Sequence, residues 1–220
     1  MLPVENLLRD RIHIGFITAD GIDPSASHPE LEKRISGLLA QRVEAITDHD
    51  DRFRKACRDM MRIGAYKPTG RGKPASEYLL RTAGEGHFPR INLAADINNY
   101  ISLKFLVPIS LWDRDRIEAE SWLFRPGSDG EQFIFNPSGQ AIGLKDLVTG
   151  YAISKKQQEP IVTPVKDCQK TKTDPSTRNI AAAVYYPAGW QESPDLQDIL
   201  NEFSELLEAA STSVESTIVR

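Results

Sequence analysis

Apolar positions recur along this chain in two rhythms, and the change from one to the other near Pro108 divides it. Ile12 to Thr18 (IHIGFIT) is a short continuous apolar run ending at Asp20-Gly21, which predicts a buried strand followed by a turn. Ser25 to Pro29 then opens a helix, with Pro29 suited to its first position. Leu31, Ile35, Leu38, Leu39, Val43 and Ile46 fall on one face of that helix. A second helix is expected from about Asp50, turning Phe53, Cys57 and Met60 or Met61 inward and stopping at Gly64. Residues 69–74 (TGRGKP) hold two glycines and a proline, which excludes regular structure. A short helix follows from Ala75 to Thr82, ending at Gly84 and Gly86. The next runs from Ile91 to Phe105, with Leu93, Ile97, Tyr100 and Ile101 apolar.

Beyond Pro108 the helical spacing gives way to short alternating or apolar segments. Two acidic-basic steps, Asp113-Arg114 and Asp115-Arg116, lead into an expected strand. Further strand candidates are 122–124, 132–135, 141–144, 151–153, 161–162 and 180–186, separated by turns such as Pro126-Gly127-Ser128-Asp129-Gly130. Ser193-Pro194 caps a closing amphipathic helix carrying Leu196, Ile199, Leu200, Phe203, Leu206 and Leu207. Residues 211–220 read as a fraying tail. The pattern predicts an α+β fold: helices mainly in the N-terminal half, packed on a mostly antiparallel sheet from the C-terminal half, with a closing C-terminal helix. One domain over residues 1–210 is expected, without internal repeats.

Composition narrows the class without naming a function. The 220 residues are 40% hydrophobic and 26% charged, as in an ordinary globule. No apolar run approaches the ~18 residues that span a bilayer, and MLPVENLLRDR has no secretory-signal pattern. With only Cys57 and Cys168 there is no disulfide framework, so a cytoplasmic setting is expected. The net charge of −4 does not suit a duplex-coating protein, so DNA is not expected as a partner and any nucleic-acid contact must be local.

Such a locality exists. Between Arg52 and Arg81 nine basic residues, among them Lys67, Arg71 and Lys73, face only Asp59 and Glu77. A second stretch holds Lys155, Lys156, Lys166, Lys170 and Lys172. These runs are either solvated surface or a phosphate-tracking patch on an acidic body. Gly70-Arg71-Gly72-Lys73-Pro74 is not a nucleotide loop, because its spacing is wrong and Pro74 replaces the magnesium-holding hydroxyl. It can still grip a phosphate by charge. The four histidines, His13, His28, His49 and His87, lack ligand spacing, so neither metal nor cofactor is expected. Cys57 reads as core filling; the basic flanks of Cys168 could lower its thiol pKa, but with no neighbouring base a structural role is expected for both.

The densest chemistry lies from Pro89 to Ile117. Asn92, Asp96 and Asn99 share one helix face, with Asn98 beside them. Asn and Asp are poor helix-interior residues, and burying their polar groups without partners is costly. The stripe is therefore either a polar cleft wall or a structural network capping loops.

At these residues the chain resembles the B3/B4 module of the phenylalanyl-tRNA synthetase β subunit. The resemblance is carried by Ile91-Asn92, by Asp96-Ile97-Asn98-Asn99-Tyr100-Ile101, by Pro108 five residues before Asp113, and by Asp115-Arg116-Ile117. Gly130-Glu131, residues 144–148 (LKDLV) and residues 177–180 (TRNI) continue it, so that it covers roughly residues 76–187. It implies an α+β domain whose editing pocket hydrolyses tRNA wrongly charged with tyrosine. The pocket would lie near Asn98 and Asn99, closed by the turn from Pro108 to Asp113. Two positions depart from the family: its histidine two residues after the turn proline is Ser110 here, and its later glutamate is replaced around Gln169 and Lys170.

On that resemblance the expected partner is the acceptor end of tRNA, or aminoacyl-tRNA. Asn98, Asn99 and Ser110 would line the substrate pocket, and Lys67, Arg71 and Lys73 would hold phosphates. Asn98, Asn99 and Ser110 can donate hydrogen bonds, but none is a good base near neutral pH, so no catalytic residue is assigned. Hydrolysis of mischarged tRNA in trans, a non-catalytic RNA-binding or adaptor role, and a pocket for a free amino acid all remain open. Aminoacylation is excluded, because the motifs for it belong to other synthetase domains.

Overall fold

The structure is a computed structural model and describes residues 1–42, 46–155 and 157–220. Val43, placed above on the first helical face, and Lys156 of the second basic stretch lie outside the described residues. Strands β1 (Val4–Asn6) and β2 (Ile12–Asp20) come first, then helices α1 (Pro29–Arg42), α2 (Asp48–Asp59), α3 (Ala75–Gly84) and α4 (Leu93–Phe105). Strands β3 (Ile109–Asp113), β4 (Ser121–Pro126), β5 (Gln132–Ile134), β6 (Ala141–Gly143), β7 (Val148–Ile153), β8 (Gln158–Val162) and β9 (Ile180–Pro187) follow. Helix α5 (Leu196–Glu208) and strand β10 (Ser213–Val219) close the chain.

The α+β expectation holds, with the strands divided between sheets. One four-stranded sheet runs β1-β4-β7-β8, a second runs β10-β2-β9-β3, and β5 and β6 form a separate pair. Every strand pairing is antiparallel except β1 with β4.

Strand β2 shows why the sheets stack as they do. Its side chains alternate between two faces, and both faces are covered, hence the continuous apolar run in the sequence. Phe16 points to the first sheet, where its ring lies 6.2 Å from Trp122 and 6.4 Å from Phe124, and it also stands 5.6 Å from Trp112 on β3 of its own sheet. Gly15, on the opposite face, lies under α5. A Cβ there would stand 2.8 Å from Leu196 and 3.1 Å from Leu200, so a larger residue would push these leucine side chains aside. The apolar stripe of α5 predicted from Leu196 to Leu207 is the buried one, but its cap is Asp195, accepting from Asp198 N–H at 2.8 Å, and not Ser193-Pro194.

Four expectations need correcting. Residues 211–220 are not a fraying tail, because β10 pairs with β2 along all seven of its residues, from Ser213↔Asp20 to Val219↔Ile14. The local sequence SVESTIV alternates, but its charged and hydroxyl positions masked a strand that is stabilised by tertiary pairing. The strand near the Asp-Arg steps precedes them as β3, and residues 114–116 form a 3-10 turn capped by Asp113. The segment from Gly70 to Gly72 also forms a 3-10 turn instead of an irregular loop, closed by Gly72 N–H donating to Thr69 O at 2.9 Å. Helix α2 ends at Asp59 and not at Gly64, with a series of turns from Met60 onward.

Candidate functional site

The segment that carries the bend begins with helix α4. Asn92 caps its start by accepting from Ala95 N–H at 3.0 Å, and Asp96 accepts from Ile91 N–H at 2.8 Å and Arg90 Nε at 2.9 Å. Half of the polar stripe is therefore structural. The helix ends at Leu106, which takes the left-handed conformation (φ 55) where glycine is usual. That conformation costs about 1–2 kcal/mol for a residue with a Cβ. Burial of the Leu106 side chain offsets it, as does the hydrogen bond from Ser102 Oγ to Val107 O at 2.7 Å. The chain then passes Pro108 into β3, the outer strand of its sheet.

Ser110 lies on β3, fully buried, at the seam between the two sheets. Its Oγ donates to Thr163 O at 2.9 Å. With that proton committed, the Tyr185 hydroxyl 3.1 Å away is the donor to Ser110. Thr163 belongs to the turn after β8, and Val162 bridges Asp167 across that turn. Asp167 thereby reaches β3, where its carboxylate accepts from Leu111 N–H at 3.4 Å. Burial raises the Asp167 carboxyl to about 7. The Leu111 N–H, with Lys172 and Lys166 nearby, favours the anion without cancelling that effect. Burial also raises the Tyr185 phenol, so it stays a neutral donor.

Asn98 and Asn99 have a different setting. Asn98 is buried, and its Oδ1 has no partner among the described residues. Its Nδ2 lies 3.5 Å from Asn99 Oδ1, at the limit of a hydrogen bond. Neither amide is consumed by capping or loop closure. Among the described residues no hydrogen bond joins the pair to Ser110, and Ser110 satisfies itself elsewhere. The two halves of the expected pocket are thus not directly linked.

The basic run separates into paired and unpaired charges. Arg52 pairs with Glu192, Arg54 with Asp51 and Glu77, Lys55 with Asp51, Arg58 with Glu77, Arg62 with Asp59 and Arg81 with Glu85. Lys73 reaches Glu77 only at 3.9 Å. Lys67 and Arg71 are exposed, and no carboxylate pairs with them among the described residues. A backbone bond from Ala75 N–H to Pro164 O, 2.8 Å, ties the Gly70–Pro74 segment to the turn holding Lys166. Lys166 stands 4.9 Å from the centre of the Phe135 ring, and Lys172 Nζ donates to Phe135 O at 2.6 Å. Burial lowers the Lys166 ammonium pKa, and repulsion from Lys172 and Arg71 lowers it further.

Two cavities lie elsewhere. One of about 320 Å³ is lined by Leu39, Ala40, Ala83, Gly86, Phe88 and Arg90. The other, about 330 Å³, includes His13, Tyr186, Trp190, Asp195 and Arg220. Neither includes Asn98, Asn99 or Ser110. Cys168 is buried, in line with the structural role expected of it, and burial raises its thiol despite the nearby Lys170. Cys57 is buried core, as expected.

Asp167 was not among the residues singled out from the sequence. In sequence this is one acid among Lys166, Lys170 and Lys172, indistinguishable from a surface charge. Only the turn after β8 brings it to Leu111. Chemically the seam offers a carboxyl that titrates near neutrality, two hydroxyls and a cluster of cations.

A family model described as the B3/4 domain matches residues 56–193, well over half of the chain. No curated protein matches. Among solved structures, an N-terminal fragment of the phenylalanyl-tRNA synthetase β subunit from Pyrococcus horikoshii is similar at 13% identity and a TM-score of 0.47. That likeness covers 98% of this chain and 50% of the fragment, so the chain spans about half the length of that structure.

Proposed function

The chain belongs to the B3/4 domain family, and from that premise we propose that it binds the acceptor end of tRNA. The observation that carries this reading is the unpaired charge. Arg71 of the glycine-rich turn and Lys166 of the turn after β8 are near neighbours beside the Ser110 seam, on a body whose net charge is −4. Cations that lack internal partners while most of their neighbours are paired suit a polyanion supplied from outside. Lys67, Arg71 and Lys73 hold phosphates in this reading. Asn98 and Asn99 offer the unspent amide groups that a terminal nucleotide or aminoacyl group needs.

The finer reading is hydrolysis of mischarged aminoacyl-tRNA in trans. Its proton acceptor would be Asp167, with water attacking the ester carbonyl and the ribose oxygen leaving. Ser110 is fully buried and engaged twice, so in this reading it supports the seam and does not itself meet the ester. Binding of tRNA is the coarser reading, and a non-catalytic RNA-binding or adaptor module is the alternative to hydrolysis.

Incubation with phenylalanine tRNA charged with tyrosine, and with a panel of other mischarged tRNAs, separates the two. Turnover of any member that is lost in Asp167→Asn supports hydrolysis, and silence across the panel removes it. Tight, salt-insensitive binding of a free amino acid instead of RNA would replace both.

A further inference from the structure

We propose that Lys166 and Lys172, arranged around Phe135 and joined by Arg71, form the principal phosphodiester clamp for the bound RNA strand. This rests on the tRNA-binding reading and names its main contacts, which differ from two of the three residues expected from the sequence.

The geometry points there for three reasons. First, Lys166 and Lys172 share one scaffold residue. The Lys166 ammonium sits 4.9 Å from the Phe135 ring centre and Lys172 Nζ bonds the Phe135 carbonyl at 2.6 Å. Two positive charges are thus held close together on a well-anchored residue, since Phe135 packs against the core.

Second, the crowding is uncompensated. Neither lysine has an ion-pair partner among the described residues, whereas Lys170, between them in sequence, is bound by Glu159 at 2.8 Å. The carboxylate facing them is Asp167, which burial keeps largely protonated up to neutrality, so it neutralises the cluster only in part. Like charges held together without a counter-charge are costly, and an anion bound between them relieves that cost.

Third, the cations come from three separate segments: the turn at residues 70–72, the turn after β8 and the stretch after residue 171. A cluster spread over three segments matches successive phosphates of a strand better than one compact anion. By contrast Lys73 is drawn toward Glu77, which Arg54 and Arg58 already hold.

The test is the salt dependence of binding to an RNA hairpin with a single-stranded 3′ end, for the full chain and its variants. Lys166→Met and Lys172→Met keep an aliphatic stem while removing the charge. Lys55→Met serves as the control, an exposed lysine already paired with Asp51. Each lost phosphate contact should flatten the log–log salt slope by about 0.7, with affinity down about tenfold at low salt for the double variant. The control should leave both unchanged, and circular dichroism should show all variants folded.

If the wild-type chain binds RNA but the double variant keeps its slope, the clamp is wrong and the tRNA-binding reading survives. A wild-type chain that binds no RNA overturns both. Competition by inorganic phosphate at low millimolar concentration, with RNA showing no advantage over it, would make the cluster a small-anion site and overturn the clamp.

Discussion

Ser110 and Tyr185 hold their hydroxyls 3.1 Å apart in the fully buried seam between two sheets, and the Thr163 carbonyl completes the chain. Ser110→Ala should leave Tyr185 without an acceptor and Thr163 O without a donor, costing about 1–3 kcal/mol. Tyr185→Phe removes one donor yet leaves Ser110 bonded to Thr163, so its polar cost should be smaller. A double-mutant cycle by urea denaturation measures the coupling. Additive losses would mean that the two hydroxyls do not act as a chain.

Asp167 should make stability depend on pH in an unusual direction for a carboxylate. Its folded value of about 7 lies above the ordinary range near 4, so the folded state holds the proton longer than the unfolded chain does. Its contribution is therefore full below about pH 4, falls as pH rises toward about 7, and is constant above that. Relative to Asp167→Asn, the wild type should gain stability when moved from about pH 8 to about pH 5. Parallel denaturation midpoints for the two proteins would contradict the burial of this carboxyl.

Asn92 and Asn98 should separate structural from functional amides. Asn92 caps α4 and bonds Thr173 Oγ1 at 3.2 Å, so Asn92→Ala should cost about 1–2 kcal/mol. Asn98 makes one contact at 3.5 Å and leaves its Oδ1 unspent, so Asn98→Ala should cost less than about 1 kcal/mol while weakening RNA binding. Equal losses of stability, with binding intact in the Asn98 variant, would assign both to the scaffold.

Strand β10 should show protection across its length in hydrogen exchange. The pairing with β2 covers Ser213 to Val219, and alternate amides should exchange slowly. Uniform fast exchange after residue 211 would restore the view of this segment as a tail.

These features were not equally legible from residues alone. The α4 and α5 stripes follow from 3.6-residue spacing, and β2 and β9 from apolar runs, so the α+β class was readable. Strand β10 was not, because SVESTIV acquires its strand identity from the β2 edge and not from its own composition. The stripe on α4 was visible as polar, but its division into capping Asn92 and Asp96 and unspent Asn98 and Asn99 depends on which backbone groups lie within reach. Likewise the count of basic residues could not show that Glu77 binds Arg54 and Arg58 while Arg71 has no carboxylate partner among the described residues. Asp167 was hidden because its partner Leu111 is 56 positions away in the chain.

The most direct measurement is equilibrium binding of the full chain to intact tRNA and to the same tRNA trimmed of its single-stranded 3′ end. Stacking and phosphate contacts with the end predict a loss of about tenfold or more on trimming, together with a shallower salt slope. Equal affinity and equal slope for the two RNAs would contradict acceptor-end recognition.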